Sequence, residues 1–140
     1  RGTGSARPRD GLTRMTQAVT PMIHVPDIRK TVRWYESIGF QVMDIGEDDG
    51  EAVWAMVSFG GGRVMFSIGG KTSTRPRREV DLYVETEGVD GLYEQLKDRV
   101  EVREGVHDTF YGMREFIIRD LNGFWITFGE PSEVQRGEDR

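Results

Sequence analysis

The strongest constraint on this chain is that it repeats itself. Ile28, Val32, Val57 and Gly62 are matched by Val89, Tyr93, Ile118 and Gly123, each 61 positions later. One offset shared by helix, strand and turn positions implies two copies of a single unit. Each copy spans about 55 residues, too few to enclose a good core alone. The two halves are therefore expected to fold together.

The unit reads βαβββ. In the first copy, residues 20–25 form an extended run that ends at Pro26-Asp27, where Asp27 can cap a helix. Ile28, Val32, Tyr35 and Ile38 share one helical face, and Gly39 ends it. Strands are expected at 40–45, 52–59 and 63–68, with Gly60-Gly61-Gly62 turning the last hairpin. In the second copy, strands at 79–85, 100–104, 113–119 and 124–128 surround a helix carrying Val89, Leu92, Tyr93 and Leu96. Asn122-Gly123 makes the equivalent turn. The fold class is α+β: two βαβββ modules, about 19–68 and 79–129, forming a cupped, mostly antiparallel eight-stranded sheet with helices on its outer face. The polar stretch 69–78 (GGKTSTRPRR) is the linker, and 15–131 is one domain. Residues 1–14 read as a flexible leader or appended remnant, and 132–140 as a polar tail.

Charge narrows the function. The chain carries 24 Asp and Glu against 19 Lys and Arg, for a net charge of −5. Four of the arginines fall in residues 1–14, so the folded body is more acidic still. That is a poor footprint for nucleic acid, whose phosphates require a basic surface, although it would tolerate a cationic ligand. There is no cysteine, which excludes disulfides and thiolate chemistry. No apolar run approaches the roughly 20 residues of a membrane helix, and residues 1–14 lack the hydrophobic region of a secretory signal. A cytoplasmic location is the expectation.

Strand alternation assigns faces. Ile23, Val25, Val80, Leu82, Val84, Ile126 and Phe128 should turn toward the helices. Thr20, Met22, His24, Trp54, Met56, Glu79, Asp81, Tyr83, Trp125 and Thr127 should turn into the cup. Tyr111 and Phe110 stand on a loop from which they could close over it. The expected ligand-binding residues are His24, Trp54, Glu79, Asp81, Tyr83, Tyr111 and Trp125, an aromatic wall with a few polar groups, as in small-molecule sites generally. Each has a plainer alternative: a satisfied histidine, core aromatics, solvated carboxylates. Arg114 and Glu115 read as strand charges available to pair across the surface, and His107 and Asp108 as surface residues.

Three strings carry a family resemblance. PDIRKTVRWYESIGF resembles the first helix of the glyoxalase, bleomycin-resistance and extradiol-dioxygenase (vicinal oxygen chelate) superfamily, and VDGLYEQL its second. FYGMREFIIRDLNGFWITFGE is similar to the closing strands of the bleomycin-resistance-like branch. Two departures stand out: Tyr111 replaces that branch's usual aromatic, and the turn Asp120-Leu121-Asn122-Gly123 lacks its proline.

In metal-dependent members, the resemblance implies ligands on the first and last strands of each module. By strand register these positions are Thr20, Phe66, Glu79 and Thr127, of which only Glu79 is a competent ligand. A register two residues away brings in His24, Glu79 and Asp81 as a conceivable cluster. A divalent catalytic metal needs about three protein ligands. The expectation is therefore no metal and no cofactor, with catalytic residues unknown. The function expected is metal-free binding of a small molecule, aromatic or cationic, by a homodimer. The alternatives are a metal-dependent lyase, isomerase or dioxygenase, and a regulatory or accessory subunit.

Overall fold

The structure, a computed structural model, describes residues 18–133 and residue 137. The expectations for residues 1–14 and for most of the tail lie outside these. At the tail's start, Ser132 is buried and its N–H donates to the Gly112 carbonyl at 2.8 Å.

The first module comprises β1 (Met22–Val25), α1 (Ile28–Ser37), β2 (Gln41–Asp48), β3 (Glu51–Phe59) and β4 (Gly62–Ile68). The second comprises β5 (Asp81–Glu85), α2 (Val89–Leu96), β6 (Glu101–Asp108), β7 (Met113–Arg119) and β8 (Trp125–Pro131). Each forms its own four-stranded mixed sheet, ordered β1-β4-β3-β2 and β5-β8-β7-β6. In both, the first strand lies parallel to the fourth, and the remaining pairs are antiparallel. The eight strands thus form two sheets, whose edge strands are β1 and β2 in the first and β5 and β6 in the second.

The helix ends follow their local chemistry. Asp27 accepts the Lys30 amide at 2.9 Å and caps α1, and Gly39 leaves it at φ +112°. At α2 the cap position is Gly88, which has no side chain. The Glu130 carboxylate, arriving from β8, instead accepts the Gly88 and Val89 amides, each at 3.1 Å. A negative group at a helix N-terminus satisfies free amides and opposes the dipole.

One core serves both modules. Val25, Tyr35, Val57 and Phe66 are fully buried from the first, as are Phe116, Ile118, Ile126 and Phe128 from the second. Phe116 stacks on Phe128 with ring centroids 5.0 Å apart, and Phe59 meets Phe128 across the module boundary at 6.2 Å.

Polar bonds cross the same boundary. The Tyr35 hydroxyl on α1 donates to Asp120 Oδ2 at 2.6 Å, and Asn122 Nδ2 donates to Thr31 Oγ1 at 3.0 Å. Asp120 also accepts the Asn122 and Phe124 amides at Oδ1, both at 2.8 Å, which shapes the β7–β8 turn. Burial pushes the Asp120 carboxyl up from its ordinary pKa while these hydrogen bonds pull it down, and burial beside Asp120 raises the Tyr35 phenol well above its own.

The face assignments need two corrections. Phe66, placed at a cup-facing ligand position by register, is fully buried on the helix side, 4.9 Å from the Tyr35 ring. The reason is turn length. Val57 pairs with Val64, whereas Ile118 pairs with Ile126, so the second hairpin carries one extra residue. An offset valid through the third strand slips by one in the fourth, and a one-residue slip flips the face. The counterpart of Phe66 is Phe128. Val80 was expected toward the helices, but it precedes β5 and is half exposed.

Removing Asp120 should matter more than removing the hydroxyl it accepts. Asp120→Ala strands three buried donors, each worth about 1–3 kcal/mol when left unmade, whereas Tyr35→Phe removes one bond. Urea unfolding should show Asp120→Ala as the more damaging change, by at least about 1 kcal/mol. Equal losses would mean that the turn does not depend on this carboxylate.

Candidate functional site

The face of the second sheet opposite α2 is built from alternate residues. On β8 these are Trp125, Thr127 and Gly129, since Ile126 and Phe128 turn into the core. Asp81 and Tyr83 lie beside Trp125 and Thr127 on β5, and Glu115, Ile117 and Arg119 lie beside Gly129, Thr127 and Trp125 on β7. The two ends of this face differ.

At the Gly129 end, the sequence reading missed the central residue. Glu115 was read as a surface charge, yet it is only 3% exposed. Its Oε2 accepts the Tyr83 hydroxyl at 2.8 Å, and its Oε1 accepts the Tyr111 hydroxyl at 2.8 Å. The ring of Tyr83 reaches Glu115 by crossing Gly129, where a Cβ would collide with the phenol oxygen. Glycine is required there because one side chain must pass over the strand backbone. Tyr111 arrives from the β6–β7 turn, where Gly112 adopts φ +86°. Partial burial and the Glu115 hydrogen bond raise the Tyr83 phenol well above its ordinary pKa, and the Glu115 bond raises that of Tyr111 as well. Phe110, beside Tyr111, is wholly exposed.

At the other end, Trp125 is covered. The linker crosses it, with the Arg77 guanidinium 4.2 Å from the ring centroid and that of Arg103 at 5.3 Å. The indole N–H donates to the Pro76 carbonyl at 2.9 Å, and Arg119 Nη2 donates to the Ser73 and Arg75 carbonyls at 2.9 and 3.2 Å. Arg77 is further tied to Asp81 by an ion pair. Residues 73–77 thus form a strap over Trp125, which the sequence read only as a connector. The RPR string was visible, but nothing local says which ring it covers.

The remaining expected residues are dispersed. Trp54 donates its N–H to Met65 Sδ at 3.3 Å within the first sheet. His24 is exposed on β1, and Glu79 lies outside β5 in an exposed ion pair with Arg75 at 3.4 Å. Arg114 clips Asp90 on α2 and Asp108 on β6, at 2.9 and 3.0 Å, in exposed pairs whose mutual attraction raises the guanidinium pKa.

Two open clefts flank the site. One of about 620 Å³ runs along β5 and is lined by Phe59, Arg63, Asp81, Tyr83 and Glu85, among others. The second, about 890 Å³, is lined by Glu85, Thr86, Met113, Gly129 and Pro131, among others.

The donor set does not fit a divalent metal. Thr20 and Thr127 are weak neutral donors, and Phe66 points away. Among the described residues no group of three His, Asp or Glu side chains is placed to hold an ion. His24, Glu79 and Asp81 therefore form no such cluster.

A model of the glyoxalase/bleomycin resistance protein/dioxygenase superfamily matches residues 17–128. No curated protein matches the chain. Among solved structures, TioX from Micromonospora sp. ML1 is 20% identical, with a TM-score of 0.65 over 81% of this chain and 94% of that one. A bleomycin-binding protein from Streptomyces verticillus, solved with copper(II)-bleomycin, is 22% identical, with a TM-score of 0.61 over 81% and 94%. A glyoxalase/bleomycin resistance protein/dioxygenase from Alicyclobacillus acidocaldarius is 13% identical, with a TM-score of 0.68 over 85% and 94%. At these identities the likeness establishes the shared fold.

Trp125→Ala should release the strap. Trypsin should then cut after Arg77 or Arg78 at least about fivefold faster than in the parent, because local opening governs such cleavage. The stability loss should stay below the roughly 3–5 kcal/mol of a fully buried aromatic. Unchanged cleavage together with a full core-sized loss would show that Trp125 is ordinary core.

Proposed function

Because this chain belongs to the glyoxalase/bleomycin resistance/dioxygenase superfamily, we propose that it binds a small organic molecule directly, without a metal, on the open face of its second module. The supporting observation is the buried Glu115 carboxylate held by two half-exposed tyrosines beside the clefts. A buried carboxylate is costly unless it is hydrogen-bonded. Glu115 and its tyrosines give that face a fixed polar anchor, and Met113, Pro131 and Phe59 supply apolar surface in the flanking clefts. Few polar groups within an apolar surround is the usual make-up of a ligand site.

Aromatic or cationic compounds are the first to try, because Tyr83 and Tyr111 are half exposed and the chain is acidic. One neighbour of this fold is a bleomycin-binding protein, solved with copper(II)-bleomycin, which accords with a ligand-binding role. The metal-dependent alternative lacks a set of three donors among the described residues. No described helix is long and apolar enough to cross a membrane.

A thermal-shift screen of small molecules in the presence of a chelator tests the proposal. A compound at a hundred times its Kd should stabilise the protein by about 2.7 kcal/mol, with no metal retained by elemental analysis. Stoichiometric bound metal, or hits that appear only once a divalent ion is added, would move the protein to the enzyme class.

A homodimer is proposed as well. Met22, Ile68 and Val80 are apolar, exposed and close to the unpaired β1 and β5 edges, and a twofold contact lets one patch cover itself. Light scattering at micromolar concentration should give twice the chain mass; a monomer mass would end this idea.

A further inference from the structure

Each tyrosine hydroxyl has one hydrogen, and at this site both hydrogens are committed. Tyr83 and Tyr111 donate to opposite oxygens of Glu115, each at 2.8 Å. An ionised carboxylate accepts and never donates, so neither phenol can turn its hydrogen outward without stranding a buried charge. What the two hydroxyls have left to offer a ligand is therefore lone pairs.

The two are not equally placed. Tyr111 stands in the β6–β7 turn, whose Thr109 hydroxyl accepts the Met113 amide at 3.0 Å, whereas Tyr83 lines the cleft along β5. Asp81 and Glu85 stand on the same strand, Asp81 already paired with Arg77, while Arg63 faces them from the β3–β4 hairpin.

We propose that Tyr83, with Glu115 behind it, is a selectivity filter that accepts hydrogen bonds from N–H-rich cationic groups (amidinium, guanidinium or ammonium) and rejects carboxylates, phenolates and phosphates. Tyr83 supplies the acceptor, and Glu115 fixes its orientation and adds charge. An anion brought to the same place meets lone pairs and a buried negative charge. A site built for one hydrogen-bond polarity discriminates strongly against the other, because the mismatched groups are left unpaired. This rests on the reading that the second module's open face is a small-molecule site.

Benzamidine and benzoate share a ring and have opposite hydrogen-bond polarity, so the pair isolates the effect. In a chemical-shift titration, benzamidine should bind at least tenfold tighter than benzoate, and Tyr83→Phe should abolish most of that difference. Tyr111→Phe should reduce it less. Glu115→Gln should shrink or reverse it, because an amide N–H can donate to a tyrosine oxygen and turn that hydroxyl outward. Tyr83 is half exposed, so its variant remains informative if Glu115→Gln fails to fold. Benzoate binding as tightly as benzamidine would overturn the proposal, as would a preference that survives Tyr83→Phe. If benzamidine fails to bind at millimolar concentration while other screened compounds do bind, this inference falls and the binding function stands; if nothing binds, both fall.

Discussion

The hydrogen bond from Tyr35 to Asp120 ties the two halves of this protein together, and the site depends on it indirectly. Each half is too small to bury a sufficient core, so stability must come from the joint. Apolar contact there is supplied by Phe59 against Phe128, but such contact is non-directional. Asp120 adds direction. It holds the β7–β8 turn through two backbone amides and receives a hydroxyl from the other module's helix. That turn sets which residues of β8 face outward. With Phe116 and Phe128 locked into the core, Glu115 and Gly129 must lie on the open side.

The open side is then divided along one strand. Trp125, Thr127 and Gly129 stand in line, and the protein treats the two ends differently. The Trp125 end is closed by the chain's own strap, whose backbone carbonyls accept the indole and guanidinium donors. The Gly129 end is left open, with a buried carboxylate whose hydrogen bonds hold two aromatic side chains in place. A negatively charged body and an acceptor-only anchor agree in sign. The proposed preference for cationic groups rests on that agreement, whereas surface acidity alone would indicate only solubility.

Much of the fold was legible in the sequence because its signals are local and doubled. Asp27 and Gly39 bound a helix, Gly60–Gly62 turns a hairpin, and the same pattern recurs one module later. The slip in β8 was harder to see: one additional residue in a turn changes neither composition nor periodicity, yet it moved Phe66 and Thr127 onto opposite faces. The site was read in part. Asp81, Tyr83, Thr127 and Trp125 follow from alternation, and Tyr111 from its loop. A carboxylate between Arg114 and Phe116, as Glu115 is, looks like an ordinary surface charge until its neighbours are known. Its burial depends on Tyr83, which is 32 positions away. Gly129 held the only local hint, a glycine inside an apolar strand. The strap over Trp125 and the Glu130 cap of α2 are long-range bonds with no sequence signature.

Where a ligand sits is the question on which this view depends. An amide chemical-shift map of the protein titrated with a hit from the metal-free screen answers it most directly. The perturbed amides should cluster at Tyr83, Tyr111, Glu115 and Gly129, with the first sheet beyond its β3–β4 hairpin and the turn at Asp120 left quiet. A map centred on the first module, or on exposed Phe110 with Tyr83 and Glu115 silent, would contradict it.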